Sequence, residues 1–419
     1  MAGETEFENL DRTLAKRIIN EVGGTGQPPL YGYQFFTAGL DRYMETIEAE
    51  YLQDYIKYGG SSFKMVVGAY GGGKTHFLYN VLGRAWEHNY ISSYIELSAN
   101  SVPFHKLEEV YRAVVSNLIF PQEASALLNE PEKGIEAVLR KWYVETIEGL
   151  PLIPPYRPGE EVENYLRDLG SFESTSFQNA VKKAFMALYQ GDEELFNLIV
   201  QWLKGENPSS SLLNELHIYE KIDRSTAFKM LRCLVQLVLK TGYSGLIILL
   251  DEAEQTPSMS TRERSTLLQN LRELVDACSR GALKGTMVFY AVPDESFLEG
   301  RTNVYEALNQ RLSTTFEGEI NPTGVKIDLE NLSKDPVDLL TEIGAKLARI
   351  YEIAHDVKFD EAELEATIKE AAEKADQESY GEIAYNRLFV QLIVPSFHAL
   401  KANIIESAKL ENAKGAEKA

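Results

Sequence analysis

The chain has 419 residues, 44% of them hydrophobic and 25% charged, enough to bury a large core in roughly two to three domains. Its formal net charge of −21 argues against a general nucleic-acid-coating role, which needs a basic surplus, and leaves DNA contact to a local basic patch or an oligomeric ring's lumen. Apolar runs such as Leu246 to Leu250 and Leu388 to Val394 are too short to span a bilayer, and the acidic N-terminus has no secretory h-region, so a cytoplasmic protein without membrane contact is expected.

In chain order, Leu10 to Val22 has the spacing of an amphipathic helix, followed by a Gly- and Pro-rich loop, Gly23 to Gly32. A second helical pattern, Leu40 to Lys57, ends at Gly59 and Gly60. An apolar run from Phe63 to Val67 predicts a strand, His76 to Ala85 a helix, and Tyr94 to Leu97 a second strand closing a β-α-β unit. From Pro103 to Leu239 the pattern is helical with almost no strand signal. It breaks only at the prolines of Leu150 to Glu161 and at the turn Glu206 to Ser211. Strands follow at Leu246 to Leu250, Thr286 to Val292 and Val325 to Leu329, with helices at Thr261 to Cys278 and Val304 to Leu312 between them. From Pro336 to about Ala408 the pattern is helical again, and the last residues read as a disordered tail.

The resulting expectation is an α/β protein with a parallel sheet flanked by helices. Residues 1–60 form an N-terminal helical arm, and 61–102 with 240–332 the α/β core. Residues 103–239 are a helical insertion, 333–408 a C-terminal helical lid, and 409–419 a tail.

Residues Gly68 to Thr75 read GAYGGGKT, a full G-x-x-x-x-G-K-[ST] phosphate loop set between a predicted strand and a predicted helix. Glycines let the backbone wrap a polyphosphate, with the N-terminus of the next helix facing the charge. Gly68, Tyr70, Gly71, Gly72, Gly73, Lys74, Thr75 and His76 are therefore the candidate nucleotide contacts. Lys74 reaches the β- and γ-phosphates and the Thr75 hydroxyl holds Mg²⁺. The side chain of His76 reads more readily as packing or capping than as a catalyst.

The segment GLIILLDEAE, Gly245 to Glu254, supplies the other half. A buried strand delivers Asp251 toward Mg²⁺, and Glu252 can polarise the water that attacks the γ-phosphate. The stretch between Lys74 and Asp251 is far longer than two or three β-α units require, which is the reason for reading an inserted subdomain. Asp294, after the strand TMVFYAV, is a weak candidate for sensing the γ-phosphate, with helix capping by Glu295 and Ser296 as the plainer reading.

Arg311, closing the helix before the last strand, can reach a neighbouring subunit's γ-phosphate; the alternative is a salt bridge on its own helix end. Arg301 is a weaker candidate for the same interface. Arg387 opens an apolar helix of the lid, from which it could fold over bound nucleotide. Tyr31, Tyr33 and Phe35 could flank an adenine ring or simply pack the arm. The six histidines show no metal-ligand spacing, and Cys233 and Cys278 form no disulfide or metal framework.

The order of these elements resembles the AAA+ ATPases, particularly the branch of the origin-recognition initiators. Closer still, VVGAYGGGKTHFLYNV, FHKLEEVYRAVV, IILLDEAEQ, YEALNQRL and NRLFVQLIV resemble the P-loop ATP-binding family of BREX-type phage-defence islands, the BrxD-like group. The resemblance covers most of residues 10 to 400. It implies an ATP- and Mg²⁺-dependent ATPase, a homo-oligomer working in antiviral defence with a helicase or other DNA-acting partner. A nucleotide-switched scaffold with little or no hydrolysis is the rival reading. The sequence departs from many AAA+ proteins in carrying Val-Pro-Asp, 292–294, where an Asn is common.

Overall fold

The computed structural model describes residues 7, 10–122, 132–149, 158–206, 208–251, 259–295, 303–317, 321–330, 334–378 and 385–416. It is a mixed α/β protein whose six-stranded, mostly parallel sheet is flanked by helices. The chain forms two compact units, one of Met1–Glu45, Val66–Val81 and Asp328–Ala419, the other of Thr46–Met65 and Leu82–Ile327.

In chain order the elements begin with α1 (Arg12–Thr25), a 3-10 turn (Tyr33–Phe36), α2 (Asp41–Thr46) and a π-helical stretch (Ile47–Tyr55). Next come β1 (Ser61–Val67), α3 (Lys74–Glu87), β2 (Tyr90–Glu96), α4 (Leu107–Ser116) and β3 (Leu118–Ile119). The helices α5 (Ile135–Gly149), α6 (Pro158–Asp168), α7 (Thr175–Gln190), α8 (Glu193–Leu203), α9 (Ser210–Glu215) and α10 (Ala227–Lys240) follow. The chain then runs through β4 (Gly245–Asp251), α11 (Thr261–Ser279), β5 (Thr286–Val292), α12 (Asn303–Leu312) and β6 (Lys326–Asp328). It finishes with α13 (Pro336–His355), α14 (Glu361–Glu378) and α15 (Tyr385–Ala416).

The strand order is β3-β2-β4-β5-β1-β6. All seven residues of β4 and of β5 are buried, as expected of central strands covered on both faces. They pair in parallel from Leu246 opposite Thr286, and β2 pairs in parallel with β4 from Tyr90 opposite Gly245 through Glu96 opposite Asp251. Crossover helices are what parallel pairing requires, and the αβ alternation provides them.

Several expectations need correction. The edge strand β3 is antiparallel to β2, with Ser93 opposite Leu118, in a stretch read as purely helical. Two residues are too few to leave a periodic signal. The segment 103–239 is also not wholly set apart, because α4 packs on β2 and α10 packs on β4 and α4. Their wide apolar faces, Val110, Tyr111 and Val114 on α4 and Met230, Leu234 and Val238 on α10, are the cause. The expected helix from Leu40 to Lys57 turns π-helical after Thr46.

In β1, read as an apolar run, Lys64 is buried. Its ammonium donates to Tyr51 Oη at 2.7 Å and to the Pro322 carbonyl at 3.0 Å, and burial pushes its pKa down to about 7.

The first unit joins α1, the 3-10 turn, α13, α14 and α15. Helix α1 packs on α13 and α15, and α14 on α13 and α15. Arm and lid are thus one packed body rather than separate regions. Within α15, Tyr385–Ser407 is long and apolar enough to cross a membrane by length and a mean hydropathy of 1.4. Judging contiguous apolar runs missed it, because Ala, Ser and Pro dilute the run without lowering the average much. Phe389, Ile393 and Phe397 on it are fully buried, which is the pattern of a core helix. The helix runs through Ala416, beyond the point where the sequence suggested a tail.

Candidate functional site

The phosphate-loop segment lies in the first unit. β1 carries the chain to Gly68, and the Leu329 N–H donates to the Val67 carbonyl at 2.9 Å, fixing the strand's end. The loop turns tightly: the Gly72 N–H donates to the Ala69 carbonyl at 2.9 Å, and Gly71 and Gly73 take φ of 81° and 92°. Only glycine adopts those values at little cost. A Cβ at Gly71 would also stand 2.7 Å from the Cβ of Arg387. Helix α3 starts at Lys74, and the Phe77 N–H closes its first turn on the Gly73 carbonyl at 2.8 Å. The positive end of the helix dipole therefore lies at the loop.

Lys74 is 7% exposed and its ammonium donates to the Gly68 carbonyl at 2.8 Å and the Ala69 carbonyl at 3.1 Å. Glu330 Oε1 accepts the Ala69 N–H at 2.8 Å, tying the residue after Leu329 to the loop. Tyr70 is 46% exposed and the Arg387 guanidinium lies over its ring, 4.7 Å from the centroid. The same guanidinium donates through Nη2 to the Thr25 carbonyl at 2.8 Å. Arg387 thus sits against the phosphate loop, at the first turn of α15.

Beside it, Asn386 has a buried Oδ1 without a hydrogen-bond partner, and its Nδ2 lies 3.9 Å from where a Gly73 Cβ would be. A buried amide oxygen left unpaired is costly, so it stands out. The sequence reading passed over Asn386, Thr25 and Glu330. Adjacency to Arg387 was a usable signal for Asn386; nothing local marked the other two.

His76 turns away from the loop. Its Nε2 lies 2.8 Å from Thr37 Oγ1, and its ring packs against Tyr33 and Phe36, with centroids at 6.0 and 5.2 Å. Burial pushes its pKa down to about 4. Its side chain is a packing residue, and Tyr33 and Phe35, both buried, hold the arm rather than offering a face to a base.

In the second unit, Asp251 ends β4 with no exposure and accepts the Tyr94 hydroxyl on Oδ2 at 2.8 Å. Its carbonyl accepts the Leu97 N–H at 2.9 Å. A buried carboxylate with a positioned hydroxyl donor suits a metal-side role. Glu252, Arg301 and Ser296 lie outside the described residues. Asp294 is exposed after β5, and Glu295 pairs with Lys326 at 2.8 Å.

Arg311 is engaged within the chain: Nε donates to Asp276 Oδ1 at 2.6 Å and Nη1 to the Ala307 carbonyl at 2.7 Å. Arg272 and Arg280 also approach Asp276, at 3.8 and 3.9 Å. Among the described residues no group of three His, Cys, Asp or Glu is arranged to hold a metal.

The profile of a family described as "BREX system ATP-binding protein BrxC/D" matches residues 11–403, nearly the whole chain. Comparison with curated proteins and with solved structures found no match.

Proposed function

The chain belongs to the BREX system ATP-binding BrxC/D family, and from that premise we propose that it is a cytoplasmic, Mg²⁺-dependent AAA+ ATPase of a phage-defence system. The observation that carries this is the Lys74 ammonium, buried inside the glycine loop, with Arg387 lying over Tyr70 beside it. Lys74 would exchange its two loop carbonyls for the β- and γ-phosphate oxygens, a stronger pairing of opposite charges. Arg387 would leave the Tyr70 ring for the γ-phosphate and so register the nucleotide's state in the lid.

Thr75 and Asp251 are the residues that would hold Mg²⁺, which supplies charge neutralisation on the phosphates. Glu252 would orient and deprotonate the attacking water. Arg311 would act on a neighbouring subunit's nucleotide in a homo-oligomer. The protein's target would be DNA or a DNA-bound partner such as a helicase.

The decisive test is ATP turnover against protein concentration, with and without single- and double-stranded DNA, for wild type and Glu252→Gln. Glu252→Gln should bind ATP but hydrolyse it more slowly by about two orders of magnitude or more. Lys74→Ala should lose ATP binding itself. A wild type that turns over no faster than Glu252→Gln under every condition would end the ATPase reading.

One observation favours a second reading, a nucleotide-switched scaffold. Arg311 is held by Asp276, which would keep it from a neighbour's phosphate and leave hydrolysis slow. ATP-dependent assembly without DNA stimulation is the result that would select it.

A further inference from the structure

Within the second unit lies a cavity of about 460 Å³ between α4 and the segment from Trp202 to Asp223. That volume falls in the range of pockets that take a drug-sized ligand or a short stretch of chain. Nothing in the nucleotide chemistry uses it, yet one wall comes from the FHKLEEVYR segment that the sequence reading singled out.

Two charged side chains on that wall are incompletely satisfied. Glu108 Oε2 is buried without a hydrogen-bond partner, and so is the Nε of Arg112, one turn further along α4. The rest of the Arg112 guanidinium is committed, Nη1 to Glu109 at 2.7 Å and Nη2 to the Gly205 carbonyl at 3.1 Å. A buried charged group left unpaired costs more than a neutral one, so the pair marks where a ligand's polar atoms belong.

Their chemistry defines that ligand: a donor, best a cationic one, for Glu108, and a carbonyl oxygen for Arg112 Nε. The other carboxylates are already occupied, Glu220 with Lys229 at 2.8 Å and Asp223 with the Ser225 N–H at 2.8 Å. Trp202, Leu213 and Ile222 give the cavity an apolar wall, and Tyr219 on its rim is 66% exposed. Exposed aromatic rims beside apolar floors are the usual make-up of protein contact sites.

We propose that this cleft binds a basic segment of a partner protein, with a lysine or arginine side chain on Glu108, a main-chain carbonyl on Arg112 Nε, and an apolar neighbour against Trp202 and Leu213. The inference is independent of the nucleotide site, and its test runs without ATP.

The probe is a fluorescein-labelled, capped peptide of alternating leucine and arginine, titrated into the full chain and followed by anisotropy, beside the leucine–glutamate analogue. The arginine peptide should bind and the glutamate one should not. Glu108→Gln, which keeps the shape, should weaken binding by at least about tenfold, the effect of losing one charge-assisted hydrogen bond. Tyr219→Ala, on the exposed rim, should weaken it several-fold and covers the case in which Glu108→Gln folds poorly. Equal affinity in wild type and both variants would mean diffuse attraction to an acidic chain and would overturn the proposal. So would no binding by wild type at about 1 mM peptide. Displacement of the peptide by an equal concentration of spermidine would assign the cleft to a small polyamine instead and overturn the protein-segment proposal.

Discussion

Arg387 and Arg311 are the two arginines that nucleotide chemistry would use, and the molecule holds them in opposite ways. Arg387 rests on neutral groups, the Tyr70 ring and the Thr25 carbonyl, gathered from three distant parts of the sequence. Arg311 is locked at 2.6 Å to Asp276, with the two side chains 32% and 20% exposed. Contacts to a ring and a carbonyl contribute about 1–2 kcal/mol and are readily exchanged for an anion. An ion pair must lose its carboxylate partner first. Here Arg272 and Arg280 already stand near Asp276, so Arg311 can leave without stranding a lone negative charge. The difference teaches that availability to a phosphate depends on what an arginine gives up, not only on where it sits.

The sharpest way to break this comparison is at Gly71, where the loop and the first turn of α15 meet. Gly71→Ala adds a Cβ 2.7 Å from the Arg387 Cβ at a residue with φ of 81°. Backbone strain of about 1–2 kcal/mol plus the overpacking should lower stability by about 2–4 kcal/mol in urea unfolding. ATP affinity should fall with it, because Arg387 is pushed off Tyr70. Gly149→Ala, where a Cβ meets nothing within 4 Å, is the control and should be neutral or slightly stabilising. Equal stability of the two variants would mean that the lid helix does not rest on the loop.

A smaller effect should separate the second arginine from the first. A double-mutant cycle of Arg311→Ala and Asp276→Ala should give a coupling of about 1 kcal/mol, discounted for partial exposure. Arg387→Ala paired with Tyr70→Leu should give less. If the Arg311–Asp276 coupling is zero, the ion pair is dispensable and Arg311 is as available as Arg387. The contrast between the two regions then disappears.

The phosphate loop, its flanking strand and helix, the buried strand ending in Asp251 and the helical C-terminal region were all legible, because each is a local pattern of period or motif. What was not legible depends on register between distant segments. Asn386 and Arg387 meet Gly71 and Gly73 only because α15 packs on α1, and no local signal encodes that contact. The same holds for the N-terminal arm, whose Tyr33 and Phe36 close around His76 instead of a base. Lys64 defeated the reading for another reason: one charge in an apolar run is counted as a surface residue, yet Tyr51 and two carbonyls bury it. At Glu252 the sequence argument stands alone, since that residue lies outside the described region.

The smallest expected effect concerns the arm that sits behind the loop helix, and its sign follows from His76. Burial lowers the His76 pKa from 6.5 to about 4, so the folded protein binds a proton there less readily than the unfolded chain does. Neutral His76, against Thr37, Tyr33 and Phe36, therefore contributes stability that is complete above pH 6.5 and is lost as pH falls toward about 4. Replacing it by a side chain that cannot titrate should flatten the curve. Urea midpoints of wild type and His76→Phe, measured at intervals from pH 7.5 to pH 4.5, should converge as pH falls, because only wild type loses this term. Parallel curves would show that the ring is already charged or solvated in the folded protein. The arm would then be held less tightly to α3 than the contacts of Arg387 hold the lid to the loop.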